Sequence, residues 1–277
     1  MKKIHLPSGI EIPVLGQGTW RMGEDSGKKD DEIASLRLGL DMGMTLIDTA
    51  EMYGEGGAEE VVGEAIKNRR ESVFLVSKVY PHNASRHGAI QACERSLKRL
   101  KTDCIDLYLL HWRSSIPLWE TLSAFESLKQ AGKIRDYGVS NFDADDMKKA
   151  INLPNGQQIA TNQVLYNLKH RGIEWDLIPW CRQHNIPIMA YSPIEQQGIL
   201  KNSHLKSIAS RHNATPAQIA LAWLIRQFGI IAIPKASNPT HVKENSAASQ
   251  ILLTQEDLTE LDKAFPPPSR KMALAIR

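Results

Sequence analysis

The sequence predicts an α/β protein folded as a (β/α)8 barrel, with an N-terminal β-hairpin plug and a C-terminal helix. From about Val14 onward, short β-rich runs alternate with longer amphipathic stretches, as in repeated βα units. About eight such units favour a closed parallel barrel. An open doubly wound sheet is the alternative, but no Gly-x-Gly-x-x-Gly motif follows the first predicted strand, as a dinucleotide-binding sheet of that kind requires.

The chain begins with a predicted hairpin. Lys3–Leu6 and Ile10–Ile12 flank the turn sequence Pro7-Ser8-Gly9, and this small antiparallel pair is expected to plug one end of the barrel. The barrel strands are predicted at Val14–Gly18, Thr45–Thr49, Val73–Lys78, Ile105–His111, Ile134–Ser140, Ala160–Tyr166, Ile186–Ser192 and Ile230–Lys235. The helices between them are predicted at Asp31–Met42, Ala58–Asn68, Ser85–Leu100, Leu118–Gln130, Ala144–Asn152, Asp176–His184 and Pro216–Phe228.

The last predicted element is a helix after the eighth unit. Thr254 and Asp257 resemble a capping box at its start, and the helix is expected to run to Ala264 before Pro266–Pro268 ends it. No linker, low-complexity tract or repeat divides the chain, and α/β barrels of about 250 residues commonly form one unit. A single barrel domain over residues 1–277 is therefore expected.

Composition excludes several classes of protein. The chain is 42% hydrophobic and 23% charged, which is typical of a globular protein, and a net charge of +3 is too small for a nucleic-acid binder. Cys93, Cys104 and Cys181 form no CxxC pair, which fits a reducing compartment, and no stretch approaches the ~20 apolar residues of a membrane span. The expectation is a cytoplasmic monomer with neither a nucleic-acid nor a membrane partner, and no metal site.

Four ionisable side chains fall at or just beyond the ends of neighbouring predicted strands. Asp48 lies near the end of the second strand with Tyr53 in the loop beyond, Lys78 ends the third strand and His111 ends the fourth. Any one of them has an ordinary structural explanation, such as a helix cap or a snorkelling lysine. Together they converge on the mouth where the carboxyl ends of barrel strands form active sites.

The chemistry of these groups suits reduction of a carbonyl. An alkoxide that forms on hydride addition must gain a proton, and Tyr53 is the best candidate for the general acid. A free phenol has a pKa near 10, so a neighbouring ammonium, Lys78, is needed to stabilise its phenolate. Asp48 would keep Lys78 protonated and oriented; at ~4 Å and an effective dielectric of ~20 that attraction is about 4 kcal/mol before desolvation. His111 would donate a hydrogen bond to the same carbonyl oxygen, or share proton transfer with Tyr53.

The sequence resembles the aldo-keto reductase family over nearly its whole length, from Gly16–Trp20 to Lys243–Asn245. The matching stretches are Ile47–Gly54, Val76–Lys78, Leu109–Trp112, Gly138–Asn141, Asn162–Gln163, Tyr191–Pro193 and Ile233–Lys235. The family's catalytic tetrad then corresponds to Asp48, Tyr53, Lys78 and His111.

The resemblance implies NADPH as hydride donor, with NADH as the less favoured cofactor. It places Ser140, Asn141 and Gln163 at the carboxamide, Tyr191 stacked on the nicotinamide, and Lys235 at the pyrophosphate or the 2′-phosphate. The other implied cofactor-binding residues are Gly18, Thr19, Trp20, Asp48, Ser192, Pro193, Gly198, Leu200, Ala236, Ser237, Asn238, His241, Glu244 and Asn245. Many relatives have Ser and Arg where this chain has Ala236 and His241, which weakens the expected preference for NADPH because imidazole binds phosphate less well than guanidinium.

The substrate side of the mouth is predicted from aromatic residues and loops. Trp20, Tyr80 and Trp112 would line it beside His111. The segments Asp25–Asp31 and Glu195–Ser203 are expected to be mobile loops, and the short C-terminus predicts an open pocket. Within the family, the stretches Gln17–Asp25 and Leu165–Asn167 are most similar to bacterial methylglyoxal-reductase-type members. That similarity implies a small-molecule carbonyl substrate: an α-oxo-aldehyde, or a diketone, including keto-sugars.

Two other functions remain open at this point. One is a non-catalytic NADPH-binding module, as in the potassium-channel β subunits that share this barrel, although the intact tetrad weighs against it. The other is an isomerase or aldolase of sugar phosphates in which Lys78 forms a Schiff base. Asp48 argues against the latter, since it favours a protonated lysine over a nucleophilic amine.

Overall fold

A parallel eight-stranded sheet surrounded by helices forms the centre of the computed structural model, which describes residues 1–277. The strands are β1 Lys3–His5, β2 Glu11–Pro13, β3 Gln17–Gly18, β4 Leu46–Asp48, β5 Phe74–Val79, β6 Ile105–Leu110, β7 Ile134–Ser140, β8 Ile159–Leu165, β9 Ile188–Tyr191 and β10 Ile230–Ala232. The helices are α1 Lys29–Asp41, α2 Gly57–Ala65, α3 Arg86–Leu100, α4 Leu118–Gln130, α5 Ala144–Ile151, α6 Leu177–Gln183, α7 Ser203–Arg211, α8 Pro216–Ile225, α9 Pro239–Ala247 and α10 Gln255–Ala264.

The sheet closes into the predicted barrel. Strands β3 to β10 pair in chain order, each parallel to the next. The first and last strands meet through two parallel bridges, Leu15 with Ala232 and Gly18 with Lys235, and the Gly18 N–H donates to the Pro234 carbonyl at 3.0 Å. The (β/α)8 fold is thus confirmed, and the open sheet is wrong.

The N-terminal hairpin lies at the end of the barrel opposite the strand carboxyl ends. Strands β1 and β2 pair antiparallel, and Ile4 and Ile12 are buried in the main core. The Ser8 hydroxyl donates to Asp136 near the start of β7 at 2.5 Å. This hairpin is the predicted plug.

The alternation of side chains along β5 explains how a lysine comes to lie inside the barrel. The Ser77 hydroxyl donates to the buried Glu59 of α2 at 2.5 Å, so Ser77 faces the helical layer. Successive side chains of a strand point to opposite faces. Lys78 therefore points toward the barrel axis, where it is 0% exposed.

Several predicted boundaries need correction. Strands β3 and β10 are shorter than predicted because their pairing is reduced to isolated bridges at the closure of the barrel, where Pro234 has no N–H to donate. The predicted loop Asp25–Asp31 is wrong over most of its length, since Asp25 caps a 3-10 turn that leads directly into α1.

Helix α7 is absent from the predicted helices. The Asn202 side chain caps its first turn by accepting from the Leu205 N–H, and Leu205, Ile208 and Ala209 give it a buried face. A short helix with only three buried positions leaves a weak periodic pattern in the sequence. None of the ten helices combines the length and the apolar character needed to cross a bilayer.

Candidate active site

The four predicted catalytic side chains meet at the carboxyl end of the barrel. Asp48 ends β4, Tyr53 begins the turn that follows it, Lys78 lies near the end of β5, and His111 comes directly after β6. The Lys78 ammonium lies 2.8 Å from Asp48 Oδ2 and 3.2 Å from the Tyr53 hydroxyl, and the rings of Tyr53 and His111 meet edge to face at 5.7 Å. The predicted convergence is therefore present in the structure.

Lys78 and Asp48 form a fully buried ion pair whose polar atoms are satisfied. The three N–H donors of Lys78 have three acceptors: Asp48, the Tyr53 hydroxyl and the Thr49 carbonyl at 2.9 Å. The second oxygen of Asp48 accepts from Gln163 Nε2 at 2.7 Å. Burial lowers the pKa of Lys78, but the attraction and hydrogen bonds of Asp48 and Tyr53 together outweigh it, so the net pKa is raised. A protonated lysine with no free lone pair argues against Schiff-base chemistry.

Tyr53 holds its proton at neutral pH. Burial raises the pKa of its hydroxyl above the ordinary value of 10.0, and the nearby charge of Lys78 opposes that rise. The ammonium of Lys78 lies 4.8 Å from the centre of the Tyr53 ring. Tyr53 thus keeps its hydroxyl hydrogen and lies beside a fixed positive charge that would reduce the cost of forming its phenolate.

His111 is an uncharged group. Burial and the charge of Lys78 lower the pKa of its imidazole to about 2. Its Nδ1 has no hydrogen-bond partner. In the tautomer that carries the hydrogen on Nε2, Nδ1 holds a lone pair, so no buried N–H donor is left without an acceptor. Neutral His111 is therefore suited to donate one hydrogen bond rather than to carry a proton.

A pH profile tests this state of His111. Because its folded-state pKa lies far below the ordinary 6.5, the imidazole stays neutral throughout the working range. We expect kcat/KM for carbonyl reduction to show no ionisation step near 6.5 that depends on this residue. A step at that pH that is lost in His111→Gln but kept in His82→Gln would contradict the assignment.

The predicted carboxamide-binding residues lie beside the tetrad at the ends of β7, β8 and β9. The Tyr191 hydroxyl donates to Asn141 Oδ1 at 2.9 Å, and Asn141 Nδ2 donates to the His111 carbonyl at 3.1 Å and to the Ser140 hydroxyl at 3.2 Å. Asn141 has φ 60°, a left-handed conformation that Asn tolerates better than most residues. Together with Gln163 these side chains form a polar row that ends at Asp48.

The predicted phosphate-binding residues follow β10. Lys235 Nζ donates to the Ser237 hydroxyl at 3.0 Å, and burial lowers the pKa of this lysine. Helix α9 begins next, with the Asn238 side chain accepting from the Thr240 N–H, and His241 lies exposed in its first turn. The hydroxyl of Ser237, two residues after Lys235, thus lies beside the lysine ammonium, although Ala236 occupies the position where many relatives have serine. Glu244 and Asn245 lie one turn further along α9.

Two of the three aromatic residues predicted to line the mouth lie together beside His111. Tyr80 and Trp112 meet at 5.3 Å, and Trp112 packs against His111 at 4.8 Å. Trp20 follows β3 and is 39% exposed, with the Arg21 guanidinium over its ring at 4.5 Å. The preceding Thr19 hydroxyl donates to the Asp48 carbonyl at 3.0 Å, which ties this segment to the tetrad.

The prediction of an open pocket is wrong on one side. The C-terminal segment Lys271–Arg277 folds back over the mouth, and the Arg277 N–H donates to the Tyr191 hydroxyl at 3.2 Å. Of the predicted loop residues, Ser192 adopts φ 48°, and the Gly198 N–H donates to the carbonyl of Glu195 at 2.8 Å in a tight turn. The remaining two, Pro193 and Leu200, lie on the same loop between β9 and α7.

Two carboxylates near the site were not predicted. Glu51 accepts from the Tyr80 N–H at 2.5 Å and from Asn83 Nδ2 at 3.1 Å, which joins the Tyr53 loop to the aromatic wall. Glu195 is only 2% exposed and bonds several distant side chains. Its partners lie 25 or more positions away in sequence, so no local pattern could identify it.

The fold and the site together fit an oxidoreductase: a parallel barrel with a tyrosine hydroxyl, a lysine paired with an aspartate, and a neutral histidine at the carboxyl ends of its strands. Comparison with known proteins agrees. The sequence profile described as "Aldo/keto reductase family" matches residues 14–265, and the chain belongs to this family.

Individual relatives are similar over almost the full chain. Methylglyoxal reductase YeaE of Escherichia coli K12 is 53% identical over 278 aligned positions, which span 99% of this chain and 98% of the relative. Glyoxal reductase of Bacillus subtilis is 33% identical, across 94% of this chain and 91% of the relative. The crystal structure of an aldo/keto reductase from Klebsiella pneumoniae in complex with NADP and acetate is 49% identical and superposes with a TM-score of 0.98, over 100% of this chain and 99% of that one.

Proposed function

We propose that this protein reduces small aldehydes and ketones to alcohols with NADPH, and that Tyr53 is the general acid. The observation that carries the proposal is the position of Lys78, which bonds both Asp48 and the Tyr53 hydroxyl from a fully buried site beside neutral His111. An ion pair that only stabilised the fold would need no tyrosine hydroxyl beside its lysine. A site that gives a proton to a carbonyl oxygen does need such a group.

The residues present fit a nicotinamide dinucleotide. Gln163, Asn141 and Ser140 offer amide and hydroxyl groups in one row beside the tetrad, and the half-buried ring of Tyr191 lies at its end. Lys235, Ser237 and the start of α9 offer a cation, a hydroxyl and the positive end of a helix dipole for phosphate. When bound, the nicotinamide supplies the hydride that adds to the carbonyl carbon.

Proton delivery falls to the side chains of this chain. As the carbonyl carbon gains hydride, the electrons of the C=O bond move to oxygen, and the Tyr53 hydroxyl gives that oxygen its proton. Lys78 stabilises the resulting phenolate, and Asp48 keeps the ammonium charged and directed at Tyr53. The His111 Nε2–H hydrogen bond orients the carbonyl. Solvent then returns a proton to Tyr53.

The substrate class follows from the aromatic mouth and the relatives. Tyr80 and Trp112 form an uncharged wall next to His111, which suits small polar carbonyl compounds without a charged group. The similarity to methylglyoxal reductase YeaE supports α-oxo-aldehydes such as methylglyoxal, or diketones including keto-sugars. A cytoplasmic monomer remains a prediction from the sequence.

The first test is the loss of absorbance at the NADPH band with methylglyoxal and a panel of aldehydes, run in parallel with NADH. Consumption of NADPH by several carbonyl compounds is the expected result. If neither cofactor is consumed while NADPH still binds in a fluorescence titration, the non-catalytic binding module is the better description.

Cofactor preference is tested at the phosphate end of the site. Lys235→Met is expected to raise the KM for NADPH by about tenfold or more and to change the KM for NADH less, since one charged hydrogen bond is worth about 1.5–3 kcal/mol. Lys243→Met, an exposed lysine further along α9, is the matched control. His241→Arg is expected to tighten NADPH more than NADH. Equal effects on both cofactors would place the 2′-phosphate elsewhere.

A further inference from the structure

Glu195 is a carboxylate held inside the protein by groups from two other segments, residues 167–170 and the C-terminal residue Arg277. Its side chain is 1% exposed, and it accepts from Asn167 Nδ2 at 3.0 Å and lies 3.0 Å from His170 Nε2. Arg277 Nη2 donates to it at 2.6 Å, and Lys169 Nζ lies 3.5 Å away. A buried carboxylate is costly unless it is paired, so these contacts hold the three segments together.

The loop that carries Glu195 has an unfavourable backbone. Ser192, Glu195, Gln196 and Gln197 have φ values of 48°, 50°, 47° and 72°, although none of them is glycine. Left-handed residues of this kind persist where the surroundings fix them, and they cluster at functional sites. Asn167 supplies part of that support, since its Nδ2 bonds both the Ser192 carbonyl at 2.8 Å and the Glu195 carboxylate.

The C-terminal segment depends on the same carboxylate. Arg277 is its contact with Glu195, and the backbone N–H of Arg277 reaches the Tyr191 hydroxyl. At the other end of the segment, Lys271 pairs with Asp145 at 2.8 Å and with Asp176 at 3.2 Å. A cavity of about 190 Å³ lies beneath the segment. Between its two ends Leu274 packs against the core, whereas Met272 and Ile276 are exposed, so the Arg277 contact fixes the last residues of the segment at the mouth.

We propose that Glu195 is a positioning residue that fastens the C-terminal segment against Tyr191 and thereby forms one wall of the carbonyl-binding mouth. The expected effect on catalysis rests on the proposed function, whereas the attachment of the C-terminal segment by Glu195 does not depend on that function. Glu195 touches none of the tetrad side chains. Its loss should therefore weaken substrate binding while the chemical step is kept.

The kinetic test uses three variants: Glu195→Gln, Arg277→Met and the double variant that combines these two changes. The control is Lys271→Met, which removes a cation from the same segment without touching Glu195 or Tyr191. Each of the first two is expected to raise the KM for methylglyoxal by about five- to twentyfold with kcat within about threefold, and the double variant should be no worse than the worse single one, as for residues in one contact. An unchanged KM in Arg277→Met, additive effects, or an equal rise in Lys271→Met would overturn the proposal.

Hydrogen exchange tests the fastening without any turnover. The amide of Arg277 should exchange at least about tenfold faster in Glu195→Gln than in the unmodified protein, since loss of the anchor opens this segment locally. Unchanged exchange would show that Glu195 does not fasten the segment, even in an active reductase. Faster exchange in a protein that reduces no carbonyl compound would leave the fastening intact and remove the proposed function alone.

Discussion

Replacing Tyr53 by phenylalanine is expected to slow carbonyl reduction by about 10²–10⁴-fold, the usual contribution of a general acid, while NADPH binding stays normal. The change removes only the hydroxyl that lies 3.2 Å from Lys78. The ring and its edge-to-face contact with His111 remain. Steady-state rates at saturating NADPH, together with a fluorescence titration of the cofactor, measure both effects.

Tyr108→Phe is the matched control for that experiment. Tyr108 is fully buried on β6 and its hydroxyl has no hydrogen-bond partner, so removing that hydroxyl breaks no hydrogen bond. Its rates should equal those of the unmodified protein. If Tyr53→Phe also turned over normally, the proton would have to come from another group, and His111 would be the first to examine.

Replacing Lys78 by methionine is expected to abolish most of the activity and also to destabilise the protein. Without its ammonium, Asp48 is left as a 2%-exposed carboxylate bonded only to Gln163, and removing one partner of a buried ion pair costs about 3–5 kcal/mol. Chemical denaturation followed by circular dichroism measures the loss in free energy of unfolding.

The double variant Asp48→Asn with Lys78→Met separates the two effects. A neutral amide beside a methionine carries no unpaired charge, so much of the lost stability should return. Activity should not return, because nothing then stabilises the phenolate of Tyr53. Recovery of activity in the double variant would mean that the ion pair serves only the fold.

The tetrad could be predicted from sequence because its geometry follows from local rules. Parallel strands bring their carboxyl ends to one mouth, and three of the four side chains lie at or directly after strand ends. The prediction for Tyr53 needed only the assumption that a residue five positions after Asp48 lies close to Asp48 in space. That Lys78 lies inside the barrel was learned from the structure, where Ser77 faces Glu59 and the alternation of side chains turns Lys78 to the other face.

Other parts of the site could not be predicted, since they depend on contacts between distant segments. Glu195 meets Arg277 across 82 positions, and no periodic pattern marks either residue. The short helix α7 gave too few buried positions to be recognised. Ser237 was predicted at the cofactor site from the family resemblance, but its hydrogen bond with Lys235 depends on the bend of the chain after β10.

The closure of the barrel between β3 and β10 links the stability of the protein to the binding of its cofactor. This seam is joined by two isolated bridges, whereas β6 and β7 share five paired positions, so it is one of the weaker joints of the wall. Gly18 and Lys235, which face each other across the seam, are both proposed to contact the dinucleotide. A bound cofactor would then join the two sides of this seam, and resistance to heat and proteases would rise and fall with the supply of nucleotide.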